Sequence, residues 1–277
     1  MGFITPELPN VDHDTWHTLP RNGNAFGLTN SHGTNGTGCC GVGAAHWSWL
    51  ARLLPYVEQS AMYTQAGIPT NRMNQNAATL AVLAMSPPLL TCPSDSTEPR
   101  TRTNAADLGG TLVAVTSYKG VSGANWGSDF YPTESNFNTQ YRNRGANGSF
   151  NGLEKGDGIF WRADVRSGRL RLSDITDGTS NTFMIGEDVP ELIQWNAWAY
   201  ANGANATCAI PPNTGITIAT PGGFGDWPNR YSFRSRHPGG LQFALADGSV
   251  RFVSESVPLQ VYRAMATIRG NEIANAE

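Results

Sequence analysis

The chain has 277 residues, enough for one large domain or two small ones with a full hydrophobic core. Apolar residues make up 39% and charged residues only 15%, against about 25% charged in ordinary soluble domains, and the formal net charge is -3. The cations are 17 Arg and two Lys (Lys119 and Lys155) with no basic block, so composition gives no nucleic-acid footprint. No apolar run reaches the roughly 18 residues of a membrane span, and no signal-peptide core is present. The 31 Gly and 17 Pro describe a turn-rich, weakly charged surface.

Residues 1–45 are irregular and rich in His, Gly, Asn and Thr. A helix is predicted from His46, with Trp47, Leu50, Leu54 and Val57 at helical spacing and Pro55 breaking it. Asn76 to Met85 reads as a second short helix, stopped by Ser86-Pro87-Pro88. Leu89 to Asp95 reads as a buried extended segment ending in a turn, and Thr111 to Gly120 as a β-rich run. Residues 122–152 form a long Gly/Asn/Ser stretch with aromatic insertions. Short strands are predicted at Gly158–Trp161, Leu170–Leu172, Thr182–Glu187 and Ile193–Tyr200, with a capped turn over Ser173–Gly178. Residues 202–229 return to turn composition. Leu241, Phe243 and Leu245 alternate, then Val250 and Phe252, around an Asp247-Gly248 hairpin signal. With Asp247-Gly248 as a two-residue turn, Leu245 faces Val250 and Phe243 faces Phe252, all on one side. Pro258 to Ile268 closes the chain as an amphipathic helix, with Gly270 beyond it.

The four cysteines are Cys39, Cys40, Cys92 and Cys208, which allow three full pairings. No C-x-x-C occurs, which disfavours a zinc ribbon or thioredoxin-type site. Wide spacing in a Lys-poor chain favours an oxidising compartment, with Cys39 and Cys40 bridging outward to Cys92 and Cys208. The alternative is four buried free thiols.

Several residue groups carry potential chemistry. His13-Asp14-Thr15-Trp16-His17 imitates a zinc-protease helix, but Pro20 and non-helical flanks argue for a surface segment. His237 and Asp247 invite a dyad, yet a strand between them holds them roughly 20–30 Å apart. His237 therefore reads as a turn anchor whose imidazole caps backbone groups. Asp174, Asp177, Glu187 and Asp188, with Asn181 nearby, are candidate calcium ligands, against a reading as caps and turns. Trp126, Tyr131, Trp195 and Trp227 could stack on a glycan, against a reading as anchors on the core. Trp195 and Trp198 are expected on opposite sides of a strand. No nucleophile elbow, phosphate loop or dinucleotide fingerprint occurs.

His237, nine residues, then Asp247-Gly248 form an H-x9-D-G signature. Four further stretches accompany it: His13-Asp-Thr-Trp-His-Thr-Leu-Pro20, the Trp47-Ser-Trp-Leu helix, Cys92-Pro-Ser-Asp95, and Ile175-Thr-Asp-Gly-Thr-Ser-Asn-Thr182 followed by Gly186-Glu187. From about residue 12 onward the chain resembles the DUF1559 family of planctomycete-type, prepilin-like H-x9-DG proteins. The resemblance implies a type IV pilin- or pseudopilin-like subunit: an apolar N-terminal helix and an extracytoplasmic head whose sheet packs against it. Met1 to Val11 contains no such helix, so the resemblance is to a head: an N-terminal segment over 1–22 and a single head domain over 23–277. It implies structural roles for His237, Asp247, Gly248, Asp177, Gly178, Thr179, Ser180, Asn181, Thr182 and Glu187.

The fold expected is α+β, a mainly antiparallel sheet with a few short helices and long loops. The function expected is a non-enzymatic structural subunit with no catalytic residues. It would have no cofactor unless calcium binds, and would meet other pilin-like subunits or a cell-surface polymer but no nucleic acid. It would touch a membrane only through a helix absent from this chain. The rival readings are a surface glycan-binding module and a hydrolase.

Overall fold

Helix formation begins where a side chain can satisfy the first free amides. In the computed structural model, which describes residues 19–20, 43, 46–126, 156–161, 170–220 and 222–271, Ser48 Oγ accepts the Ala51 amide at 3.0 Å and opens α1 (Trp49–Leu53). Pro55 then tightens the chain into a 3₁₀ turn over Leu54–Val57, the break expected from its missing amide proton. α2 (Ser60–Ala66), which periodicity alone did not announce, ends on Gly67 at φ +67°. α3 (Ala77–Leu83) is capped by Asn76, whose Oδ1 accepts the Thr79 amide at 2.9 Å.

Seven strands follow among the described residues: β1 (Thr101–Arg102), β2 (Val113–Ala114), β3 (Tyr118–Val121), β4 (Phe183–Glu187), β5 (Asn205–Ala206), β6 (Gly240–Leu245) and β7 (Val250–Ser254). β1 and β2 pair with each other. The main sheet has the order β5-β3-β4-β6-β7, antiparallel except for the short parallel β3–β5 pair. The chain is therefore an α+β protein with a mainly antiparallel sheet. α4 (Trp227–Arg230) and α5 (Leu259–Ala264) complete it.

Several predicted strands take other forms, each for a local reason. Pro87 and Pro88 fold Leu89 and Leu90 into a 3₁₀ turn rather than a strand. The run over 111–120 divides at Thr116, because the Asn196 amide bonds both its N–H (2.9 Å) and its C=O (2.8 Å), where a neighbouring strand would otherwise pair. That use of Asn196 also keeps Ile193–Tyr200 irregular. Trp195 and Trp198 still separate into different cores. Gly158 and Phe160 bond along the end of β3 without forming a strand of their own, and Leu172 starts a 3₁₀ turn. The long stretch over 127–155 lies outside the described residues, as does most of the segment over 1–22; Leu19 within it is buried in the core.

The sheet has apolar packing on both faces. One cluster joins Trp47, Trp49, Leu50, Leu54, Val82, Leu83 and Trp198, with Trp49 stacked on Phe160 at 4.6 Å. Gly120 of β3 permits this contact, since a Cβ there would lie 2.7 Å from both the Trp49 indole nitrogen and the Phe160 ring. The other cluster joins Val121, Phe183, Leu241, Phe243, Leu245 and Val253 to Tyr262 and Met265 at α5. Phe183 and Phe243 stack at 4.1 Å, and Tyr262 lies 5.9 Å from each.

The hairpin register differs by one residue from the predicted two-residue turn. Leu245 N donates to Ser249 O at 2.8 Å, so Ala246, Asp247 and Gly248 form a three-residue loop with Gly248 at φ +86°. Asp247 Oδ1 accepts the Ser249 amide (2.9 Å) and hydroxyl (2.7 Å), which fixes the bulged geometry. Phe243 therefore pairs with Arg251, Leu241 with Val253, and Ala244 with Val250. A one-residue slip exchanges the faces of the second strand. Val250 and Phe252 are 64% and 51% exposed, whereas Val253 is buried.

This register predicts unequal costs on adjacent residues. Val253→Ala should cost about 1–3 kcal/mol in denaturant unfolding, whereas Phe252→Ser should stay within about 0.5 kcal/mol. The opposite ranking would restore the two-residue turn.

Candidate functional site

β4 and β6 run antiparallel, and the residues flanking them meet at both ends. At the end where β4 finishes, Glu187 is 6% exposed and spends its carboxylate in three directions. Oε2 accepts the Gln242 amide of β6 at 2.7 Å. Oε1 lies 3.2 Å from His237 Nε2 and accepts the Cys92 thiol at 3.6 Å. The sequence led us to expect an imidazole that caps backbone groups, but it meets a carboxylate instead; the His237 amide is itself capped, by Ser235 Oγ at 3.2 Å. Cys92, Glu187 and His237 each offer a donor atom, all within 4.8 Å of one another.

Cys92 reaches this point because the Cys92-Pro-Ser-Asp95 segment closes a turn, Asp95 N donating to Cys92 O at 3.0 Å. Asp95 anchors the turn by accepting from Thr97, from Ser117 Oγ at 2.8 Å and from Arg100 at 2.8 Å. Burial alone would raise its carboxyl, but these hydrogen bonds prevail and hold it below the usual carboxylate value. Tyr118 flanks the same thiol. Burial, and then electrostatic interaction with Cys92 and Glu187, push its hydroxyl up to about 12. A small cleft of about 10 Å³, room for about one water, opens here and is lined by Ser94, Asp95, Glu187 and Arg236 among others.

Beside Glu187, Asp188 is fully enclosed with two cations. Lys119 Nζ lies 2.9 Å from Oδ2 and Arg234 3.2 Å from Oδ1, with all three side chains at 0% exposure. Asn196 donates to Oδ2 at 2.8 Å, and Lys119 also donates to Trp195 O at 2.7 Å. Burial is the largest influence on Lys119 and lowers its ammonium to about 8, against the opposing pull of Asp188.

At the other end of β6, the Asp247 amide donates to Thr179 O at 3.2 Å and the Ala246 amide to Thr182 O at 2.9 Å. Asn181 N and Thr182 Oγ1 both bond Gly178 O at 3.0 Å, and Gly178 turns at φ +94°. Asp177 Oδ2 accepts the Gly270 amide (2.7 Å) and the Thr267 hydroxyl (3.2 Å), and Oδ1 the Asn271 amide (2.9 Å), tying down the chain after α5. Ser180 is exposed.

The four candidate calcium ligands do not form one site. Asp174 is engaged with Arg269 and the Arg171 amide, Asp177 with residues 267–271, Asp188 with its buried cations, and Glu187 with His237 and Cys92. The three described aromatics of the candidate glycan set do not form an exposed stacking platform either. Trp126 is fully buried, stacks on Tyr231 at 5.3 Å and donates to Pro228 O at 2.8 Å. Trp227 lies 5.6 Å from Trp126 and 6.4 Å from Trp195, and Trp195 and Trp227 are half-buried on the same core. Tyr131 lies outside the described residues, as do His13, His17, Cys39 and Cys40. The expected bridges need Cys39 and Cys40, which lie outside the described residues; Cys92 and Cys208 are free thiols here, Cys92 turned to Glu187 and Cys208 buried beside Tyr262. Burial pushes the Cys208 thiol up.

The comparisons agree with the motif reading. A family model described as a protein of unknown function (DUF1559) matches residues 13–260. With most of its length covered, the chain belongs to the DUF1559 family. No curated protein and no solved structure matches it.

Two measurements check this chemistry. Alkylation in denaturant without reductant should label Cys92 and Cys208; protection of either until reductant is added would restore the bridges. An unfolded lysine titrates near 10.5, so above pH 8 the folded chain has already released a proton the unfolded chain retains. By linkage this group adds stability as pH rises through that window. The melting temperature of the wild type relative to Lys119→Met should therefore rise between pH 8 and about pH 10; a flat or falling difference would contradict the assignment.

Proposed function

We propose that this chain is the extracytoplasmic head of a pilin-like structural subunit and not an enzyme. One observation carries the reading: both ends of the H-x9-D-G signature are used to hold strands. His237 contacts Glu187 where β4 ends, and the Asp247 amide bonds Thr179 just before β4 begins. The nine intervening residues supply the Pro238-Gly239 turn, β6 and the first residue of its hairpin loop. A spacing that measures a strand is a folding device, and it supports a scaffold in which the varied loops meet partners. Burial of Trp126 and the half-burial of Trp195 and Trp227 favour this reading over a glycan platform. The partners of such a head are other pilin-like subunits, and its setting is the periplasm or the cell surface.

The test is to locate the tagged protein in the cells that make it. Protease accessibility in intact or osmotically opened cells, with immunogold labelling of sheared surface material, should find it outside the cytoplasm and on filaments or envelope assemblies. Retention in the cytoplasm would overturn the proposal.

A further inference from the structure

The three donors that meet at the end of β4 come from three separate motifs: Cys92 from Cys-Pro-Ser-Asp, Glu187 from Gly-Glu, and His237 from the H-x9-D-G signature. They are the donor types of a zinc site: a thiolate, an imidazole and a carboxylate. Two of their three separations are also those of zinc ligands, and the third pair, Nε2 and Sγ, lies within 4.8 Å. Around a tetrahedral zinc, with bonds of about 2.0–2.3 Å, neighbouring ligand atoms lie roughly 3.3–3.7 Å apart. Here Nε2 and Oε1 are separated by 3.2 Å, and Sγ and Oε1 by 3.6 Å.

The groups around these donors fit the same use. Glu187 Oε2 is held by the Gln242 amide, which leaves Oε1, the oxygen that His237 and Cys92 share, as the donor of a monodentate ligand. Tyr118 lies against the Cys92 sulfur, placed to support a thiolate. His237 is partly exposed, with 26% of its side-chain surface open, which gives an ion a way in, whereas Cys92 and Glu187 are buried. The adjoining cleft has room for about one water, enough for a fourth ligand.

We propose that Cys92, Glu187 and His237 form a zinc-binding site whose fourth position is taken by water from the cleft. The charge balances: Zn²⁺ is met by one thiolate and one carboxylate, with the imidazole neutral. Binding breaks the Cys92 S–H bond, forms a sulfur–zinc bond and releases the proton to solvent. The sulfur selects zinc over calcium, which takes only oxygen ligands. The proposal is independent of the pilin-like reading, since a folding device and a metal clamp can share these residues.

The test uses the full chain, reduced and stripped by a chelator, and titrated with Co(II) as a spectroscopic stand-in. One equivalent should bind with a thiolate-to-cobalt charge-transfer band in the near ultraviolet, and one equivalent of Zn(II) should bleach it. Cys92→Ser should abolish the band, His237→Gln should weaken binding at least about tenfold, and Tyr118→Phe should weaken it on the order of tenfold. Alkylation mapped by peptide mass provides a check on the wild-type protein that needs no variant: stoichiometric Zn(II) should slow labelling of Cys92. The absence of a charge-transfer band, a band that survives in Cys92→Ser, or equal labelling of Cys92 with and without zinc would each overturn the assignment.

Discussion

The Glu187 carboxylate is the contact through which the sheet, the Cys92 turn and the His237 turn hold one another in place. Its two oxygens engage a β6 amide, an imidazole and a thiol. A buried carboxylate is stable only when its lone pairs are satisfied, so those partners are required rather than incidental. β4 delivers the carboxylate, β6 supplies the amide, and two turns supply the side chains. Displacing any one of the three partners leaves a carboxylate lone pair unsatisfied in a nearly dry setting. The next residue repeats the arrangement more strongly, since Asp188 is sealed in with Lys119 and Arg234. Removing one member of such a buried set strands the remaining charge, at a cost of about 3–5 kcal/mol. Two consecutive acids at the end of one strand thus fix the positions of segments near residues 92, 119, 196, 234 and 237.

The H-x9-D-G signature acquires a physical meaning from this geometry. Its histidine belongs to the Glu187 end of β6, and its Asp-Gly belongs to the end where the Thr179–Thr182 turn leads into β4. Antiparallel pairing of β4 with β6 ties the two motif-bearing segments together along their length, with a register shift between Phe183 and Ile185. Asp247 holds the bulged loop through Ser249, whose hydrogen bonds keep its carboxyl below the usual value. Gly248 supplies the positive φ that this loop demands.

Helices α1, α3 and α5 and the α+β class were legible in the sequence, because caps and proline breaks are local: Asn76 and Pro55 act within a few residues of themselves; α2 and α4 were not. The sheet was less legible. Asp247-Gly248 marks a hairpin but does not decide between two- and three-residue loops, and that choice reverses the faces of Val250 and Phe252. Asn196 breaking the β-rich run at Thr116 is a contact 80 residues away in sequence, beyond any local pattern. The site was legible as fragments only. Cys92-Pro-Ser-Asp, Gly-Glu and the signature histidine each stood out, but nothing in their spacing says that they converge. The candidate calcium set failed for the converse reason: acids close in sequence occupy different surroundings in space. Two lysines in the whole chain were a signal that could have been used, since one of them, Lys119, is fully buried.

The chain keeps these chemistry-bearing residues at the seams of its sheet, where they hold neighbouring strands and turns together. The account stands on energetic coupling between Glu187 and His237. The most direct measurement is a double-mutant cycle of Glu187→Gln and His237→Gln in denaturant unfolding, made without added metal. A coupling energy of about 1–3 kcal/mol is predicted. Strictly additive single-mutant effects, with coupling indistinguishable from zero, would contradict the account.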